Sequence, residues 1–128
     1  MNRTRNAAAV AAPSGRYSHA VEVPPNARWL YISGQIGTAP DGSVPTGIVA
    51  QTENCWRNIK AILADAGMDV GDIVKVTIFL TREEDIAAYR EARDRIIGEA
   101  RPASTLVVVS RLVRPEWLVE VEAVAAKA

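Results

Sequence analysis

Two residue types that catalysis often relies on are almost missing from this chain, which has one histidine, His19, and one cysteine, Cys55. A lone imidazole excludes a multi-histidine metal centre and the HExxH helix of zinc hydrolases, so no metal is expected. A lone thiol closes no internal disulfide, and no CxxC pair is present. That suits a reducing compartment and predicts a cytoplasmic protein. An excess of either charge is also lacking, because 15 Lys+Arg balance 15 Asp+Glu. No basic surplus remains to neutralise phosphates, so nucleic acid is not expected as the main partner. A near-neutral surface also opposes self-association little. No apolar run approaches the ~20 residues of a membrane span, so no membrane partner is expected. The glycine-bearing "SGQIG" lacks the length and the lysine of a phosphate loop.

What is present is patterned. The 128 residues amount to one domain, long enough to bury about two-thirds of the surface its unfolded form exposes. Residues 1–14, alanine-rich with two arginines, read as a loose N-terminal arm before a single domain at 15–128. Two short apolar segments, around Ala20–Val23 and Trp29–Ser33, are split by Pro24, Pro25 and Asn26, the pattern of strand, turn, strand. From Ile48 the period becomes helical. Ile48, Cys55, Ile59, Ile62, Leu63 and Ala66 form a stripe, with Gln51, Glu53, Asn54, Arg57 and Lys60 mostly off it, and Gly67 ends the helix. "DIVKVTIFLT" is a β-branched strand. Thr81 and Glu84 have capping-box spacing, which predicts a second helix opening there and running to about Gly98. Two strands, Thr105–Leu112 and about Trp117–Ala125, close the chain.

The order β-β-α-β-α-β-β predicts an α+β fold with both helices on one face of the sheet. Strands such as Val74–Leu80 look apolar on both faces, so something outside the chain must cover the second face. A symmetric oligomer is the simplest solution.

Few side chains suggest chemistry. Ser18 and His19 are neighbours on a strand and point to opposite faces, so they form no simple pair. His19 is therefore read as structural. Arg90 and Arg93 flank the apolar stripe of the second helix, where they can snorkel or pair with Glu91 and Asp94. Glu120 and Glu122 share one face of the last strand amid Val, Leu and Ala. A carboxylate in such surroundings can serve as a general acid or base near neutrality, or it can sit on a solvated edge or pair with Arg111. In "RPASTLVVVSRL" a cation, a proline and small residues lead into an apolar strand, a good place to hold a small anion.

"GRYSHAV", "LYISGQIG", "DGSVPTGIVAQTENCWRNIKAILADAGMDVGDIVKVTIFLT" and "RPAST…SRL…VEVEAVA" together resemble the RidA/YjgF family of imine/enamine deaminases, from roughly Gly15 to Ala126. The resemblance implies a chorismate-mutase-like α+β fold, a homotrimer and a small-molecule cleft between subunits. It also implies hydrolysis of enamine/imine intermediates such as 2-aminoacrylate to 2-oxo acids and ammonia, without a cofactor. By the same resemblance Glu120 positions water, Tyr17 stands at the cleft, and Ser33 and Gly34 line its floor. Where the family reads Pro-Ala-Arg, this chain reads Pro102-Ala103-Ser104, so the arginine that grips the substrate carboxylate is replaced. Arg90, at the position of a cleft asparagine, is the favoured substitute over Arg16 and Arg101. Ser104 and Thr105 can also hydrogen-bond a neutral ligand. The resulting expectation is a deaminase with altered substrate preference; the alternative is a trimer of the same fold that binds small molecules or proteins without chemistry.

Overall fold

A computed structural model describes all 128 residues. The elements in chain order are β1 (Arg3–Arg5), β2 (Ala20–Glu22), β3 (Arg28–Gln35), α1 (Ile48–Asp65), β4 (Ile73–Leu80), α2 (Ile86–Ile97), β5 (Ala103–Val108) and β6 (Val119–Lys127). Single 3₁₀ turns at Val70–Asp72 and Glu83–Asp85 precede β4 and α2. The main sheet has the order β3-β6-β4-β5. β4 and β5 run parallel, with α2 as the crossover that parallel pairing demands, and β6 pairs antiparallel with both β3 and β4. The fold is α+β, as expected. Residues 1–14 are not featureless: β1 pairs with β2, and their register is pinned by Arg5 Nη2 donating to Glu22 Oε1 at 2.7 Å.

The core lies between the sheet and the two helices. Period-two burial along β4 and β6 puts Val76, Ile78, Leu80, Val119, Val121 and Ala123 under the helices. From α1, Cys55, Trp56, Ile59 and Leu63 fill the gap, and Trp56 Nε1 donates to the Tyr89 hydroxyl of α2 at 3.3 Å. The end of α1 is a Schellman motif. Gly67 has φ +72°, its N–H bonds the Ala64 carbonyl, and Met68 N–H bonds the Leu63 carbonyl at 2.8 Å. The opposite face of the sheet is open, and Tyr31 there is 77% exposed.

Several details differ from the sequence reading. Thr81 does not cap α2; its N–H is held by the Leu118 carbonyl, and the helix begins after a turn braced by Arg82 donating twice to Asp85. The one capping box forms at Asp69 and Asp72 instead. β5 stops at Val108 because β4 has ended: Val109 N–H takes the Leu80 carbonyl, the last rung. Trp117 is tied into a turn by the Arg114 carbonyl, so β6 starts at Val119. Gln51, off the apolar stripe, is buried all the same. Its side chain donates to the Pro45 and Glu116 carbonyls and accepts from Leu118 N–H, fastening two loops to α1.

Gly37 presses against that same turn of helix. A Cβ there would stand 2.7 Å from Gln51 Cα and 2.9 Å from its carbonyl oxygen, backbone that cannot step aside. Gly37→Ala should therefore destabilise the fold by about 1–3 kcal/mol, read from the urea midpoint. An unchanged midpoint would show that β3 and α1 separate freely.

Candidate active site

Three stretches of chain meet at a cavity of about 540 Å³ beside the free edge of β5. Ser18 brings in the first. Its N–H bonds the Pro102 carbonyl and its hydroxyl donates to the Arg101 carbonyl at 2.7 Å, zipping the segment before β2 onto the start of β5. Tyr17 is thereby delivered to the cavity wall. α2 supplies Arg90, Arg93 and Asp94, and β5 supplies Ser104 and Leu106. Ser104 pairs with helix-facing Val76, so alternation turns it toward α2.

The charges of this wall are unevenly committed. Arg93 is buried. It donates from Nε to Asp94 Oδ1 at 3.0 Å, with Nη2 2.9 Å from the same oxygen as an ion pair, and its guanidinium lies 5.7 Å from the centre of the Tyr89 ring. Arg16 is locked to the C-terminus of α2, donating to the Gly98 carbonyl at 2.6 Å and reaching Asp94 Oδ2 at 3.7 Å. Cations suit that end of a helix. Arg101 stands exposed beside a neighbouring hollow with Glu99. Arg90 makes no hydrogen bond or ion pair and is exposed, whereas Glu91, one possible partner, is taken by Arg95. Of the three arginines that could stand in for a strand-mouth guanidinium, only Arg90 is both in the cavity and unengaged.

A second group of residues gathers on the open sheet face. Glu120 lies opposite Phe79 in the β4–β6 ladder, on the reverse side of the strand from buried Val119 and Val121. Its carboxylate sits over Gly34, where any Cβ would overlap it, so a glycine beside Ser33 is what makes room for the glutamate. The carboxylate makes no hydrogen bond within the chain. Cys55 lies close by, with Sγ donating to the Gln35 carbonyl at 3.2 Å. Burial, and then the neighbouring Glu120 charge, push its thiol up to about 12, so it supplies no thiolate.

Of the residues singled out in the sequence, Tyr17, Arg90 and Ser104 are brought together in the cavity, and Ser33, Gly34 and Glu120 assemble apart from it. Thr105 joins neither group: on a strand it faces away from Ser104, and its hydroxyl accepts from Lys75 Nζ at 2.5 Å. His19 is structural in the fullest sense. Nδ1 accepts Ala7 N–H at 3.0 Å and Nε2 lies 2.8 Å from the Ala11 carbonyl, fastening the N-terminal segment. The sequence reading missed the bracing of the cavity by Arg16 and Asp94, because a link across 78 residues leaves no periodic trace. No three His, Cys, Asp or Glu side chains are grouped to hold a metal ion.

The family model described as Endoribonuclease L-PSP matches residues 7–127. A RutC family protein of Pyrococcus abyssi is 40% identical over 117 residues, covering 90% of this chain and 89% of its own. This chain belongs to the RidA/YjgF family. The RidA/YjgF fold is shared with the Rid-family protein YyfB of Yersinia pestis, a protein of unknown function, at a TM-score of 0.87 and 28% identity over 98% of both chains. TdcF of Escherichia coli K12, named as a candidate reactive intermediate deaminase, is 35% identical over 102 residues, or 77% of this chain and 78% of TdcF. A crystal structure of TdcF with bound serine superposes on this RidA/YjgF chain with a TM-score of 0.75 at 31% identity, covering 91% and 92% of the two chains. No helix of the chain is long and apolar enough to cross a membrane.

Proposed function

We propose that this protein hydrolyses reactive imine/enamine intermediates to 2-oxo products and ammonia, without a cofactor, in a cleft completed by a second copy of the chain. The observation that carries the reading is the split between the two groups of residues. One protomer offers an anion-holding wall of Tyr17, Arg90 and Ser104. Its open sheet face offers an uncommitted carboxylate, Glu120, beside Ser33 and Gly34. A neighbour's open face laid against the cavity unites them and covers the exposed Trp29, Tyr31 and Val107. A closed ring, with C3 symmetry as in the family resemblance, satisfies every copy alike. The likeness to TdcF supports the reaction class.

In that cleft Arg90 pairs with the ligand carboxylate and Ser104 adds a neutral hydrogen bond. Glu120 orients a water and takes one of its protons as oxygen bonds to the imine carbon. Return of that proton to nitrogen gives a carbinolamine; transfer of the remaining hydroxyl proton to the amino group, again through Glu120, then lets ammonia leave as the C–N bond breaks and the carbonyl forms. One water is consumed per ammonia released.

Two measurements test the reading. Light scattering at micromolar concentration should give three times the chain mass; a monomer mass overturns the shared cleft. Ammonia release from imino acids generated in situ by an amino-acid oxidase should exceed the buffer rate for at least one substrate. No acceleration across a panel of small, branched and acidic imino acids, with binding retained, would instead favour the non-catalytic binding trimer.

A further inference from the structure

The cavity wall holds more positive charge than one carboxylate needs. Arg90 and Arg93 line the cavity, and the one carboxylate beside them, Asp94, is paired with both Arg93 and Arg16, so three positive charges stand near one negative and Arg90 has no partner. Arg93 is the more telling of the two arginines facing the cavity. It is only 7% exposed yet lines the cavity; Nε is hydrogen-bonded to Asp94, Nη2 is ion-paired with the same oxygen, and Nη1 has no protein acceptor. A guanidinium has five N–H donors, and one placed this deep with unused donors is suited to a bound anion. Arg90 stands one helical turn away on the same wall, at the i, i+3 spacing that puts side chains about 5–6 Å apart at their Cβ atoms. Ser104 opposite them is short, so at its position β5 leaves space within the 540 Å³ cavity.

From these donors we infer that the cavity takes a dicarboxylate: an imino acid with an acidic side chain, one carboxylate on Arg90 and the other on the Nη1 edge of Arg93. That the ligand is an imino acid rests on the hydrolysis proposed above; the preference for two carboxylates does not. A single small carboxylate would leave one guanidinium unanswered in a site partly removed from water. Tyr17 adds a hydroxyl whose one contact in the chain, from Ser14 N–H, is long at 3.4 Å, so it is free to donate.

The test uses stable 2-oxo acids, which need no turnover. Calorimetric titration of the purified protein should show 2-oxoglutarate binding at least about tenfold tighter than 2-oxobutyrate, the factor expected of one added charge-assisted contact. Arg90→Gln should weaken both ligands. Arg93→Met, which keeps an unbranched apolar stem beside Tyr89, should erase most of the dicarboxylate preference while 2-oxobutyrate still binds. If Arg93→Met fails to fold, raising ionic strength should narrow the preference in the natural protein. Equal affinity for the two oxo acids, or a preference that survives both substitutions, overturns the inference. Inorganic phosphate binding as tightly as 2-oxoglutarate overturns it as well, in favour of a general anion site. Tight dicarboxylate binding without ammonia release from any imine would sink the hydrolysis and leave the dicarboxylate site standing.

Discussion

Glu120→Gln is expected to lower ammonia release by about 10²–10⁴-fold, the range that a positioned acid or base contributes. The fold and the oligomer should be untouched, because the carboxylate makes no hydrogen bond within the chain and the amide has the same shape. The amide can still orient a water but cannot take its proton, so the loss should fall on kcat. Gly34→Ala offers a matched control. Its methyl would overlap the Glu120 carboxylate, the movable end of a side chain, so it should displace the glutamate at little cost in stability. Activity should then fall with the thermal midpoint nearly unchanged. Full activity in Glu120→Gln would move the role to Glu122 or to no side chain at all.

Ser104→Arg is expected to raise deamination of 2-aminoacrylate at least about tenfold from a low natural rate. This small substrate has a single carboxylate next to its reacting carbon. A guanidinium rising from β5 would meet that carboxylate in a bidentate pair, whereas Arg90 must reach across from α2. One charge-assisted hydrogen bond is worth about 1.5–3 kcal/mol, which corresponds to roughly ten- to a hundredfold in binding. Arg90→Ala should weaken carboxylate binding in the natural protein but matter less in the Ser104→Arg background. Efficient natural turnover of 2-aminoacrylate that Arg90→Ala leaves unchanged would show that Arg90 does not compensate for the serine.

Both experiments depend on residues whose relation to one another was legible only in part. The apolar stripe of α1, the Gly67 stop and the two-faced alternation of β6 are local patterns. They follow from 3.6- and 2-residue periods that the backbone imposes wherever one side meets a core. For that reason the α+β class and the side of β6 that carries Glu120 could be read from residue order alone, whereas Ser104 and Thr105, read together as ligand contacts, turn to opposite faces of β5. The absence of a second histidine or cysteine likewise limited the chemistry before any fold was known.

Other features depended on tertiary contacts between distant parts of the chain. Gln51 is polar and off the apolar stripe, yet it is buried because its amide satisfies backbone groups of the loop leading into α1 and of the Glu116–Leu118 turn far along the chain. Thr81 had the spacing of a cap, but the Leu118 carbonyl claimed its N–H first. Arg16, Arg90 and Arg93 look alike as letters. The Arg93–Asp94 pair is local and open to a sequence reading, but only the packing of α2 against the Ser18–Pro102 zipper ties Arg16 to a helix end, lays Arg93 by the Tyr89 ring inside the fold, and leaves Arg90 unpaired. Which arginine is available to a ligand is a question of which hydrogen bonds are already satisfied, and partners far apart in the chain are chosen by the fold. Residue order determined the elements and their faces, while three-dimensional packing decided which charges remain free to bind.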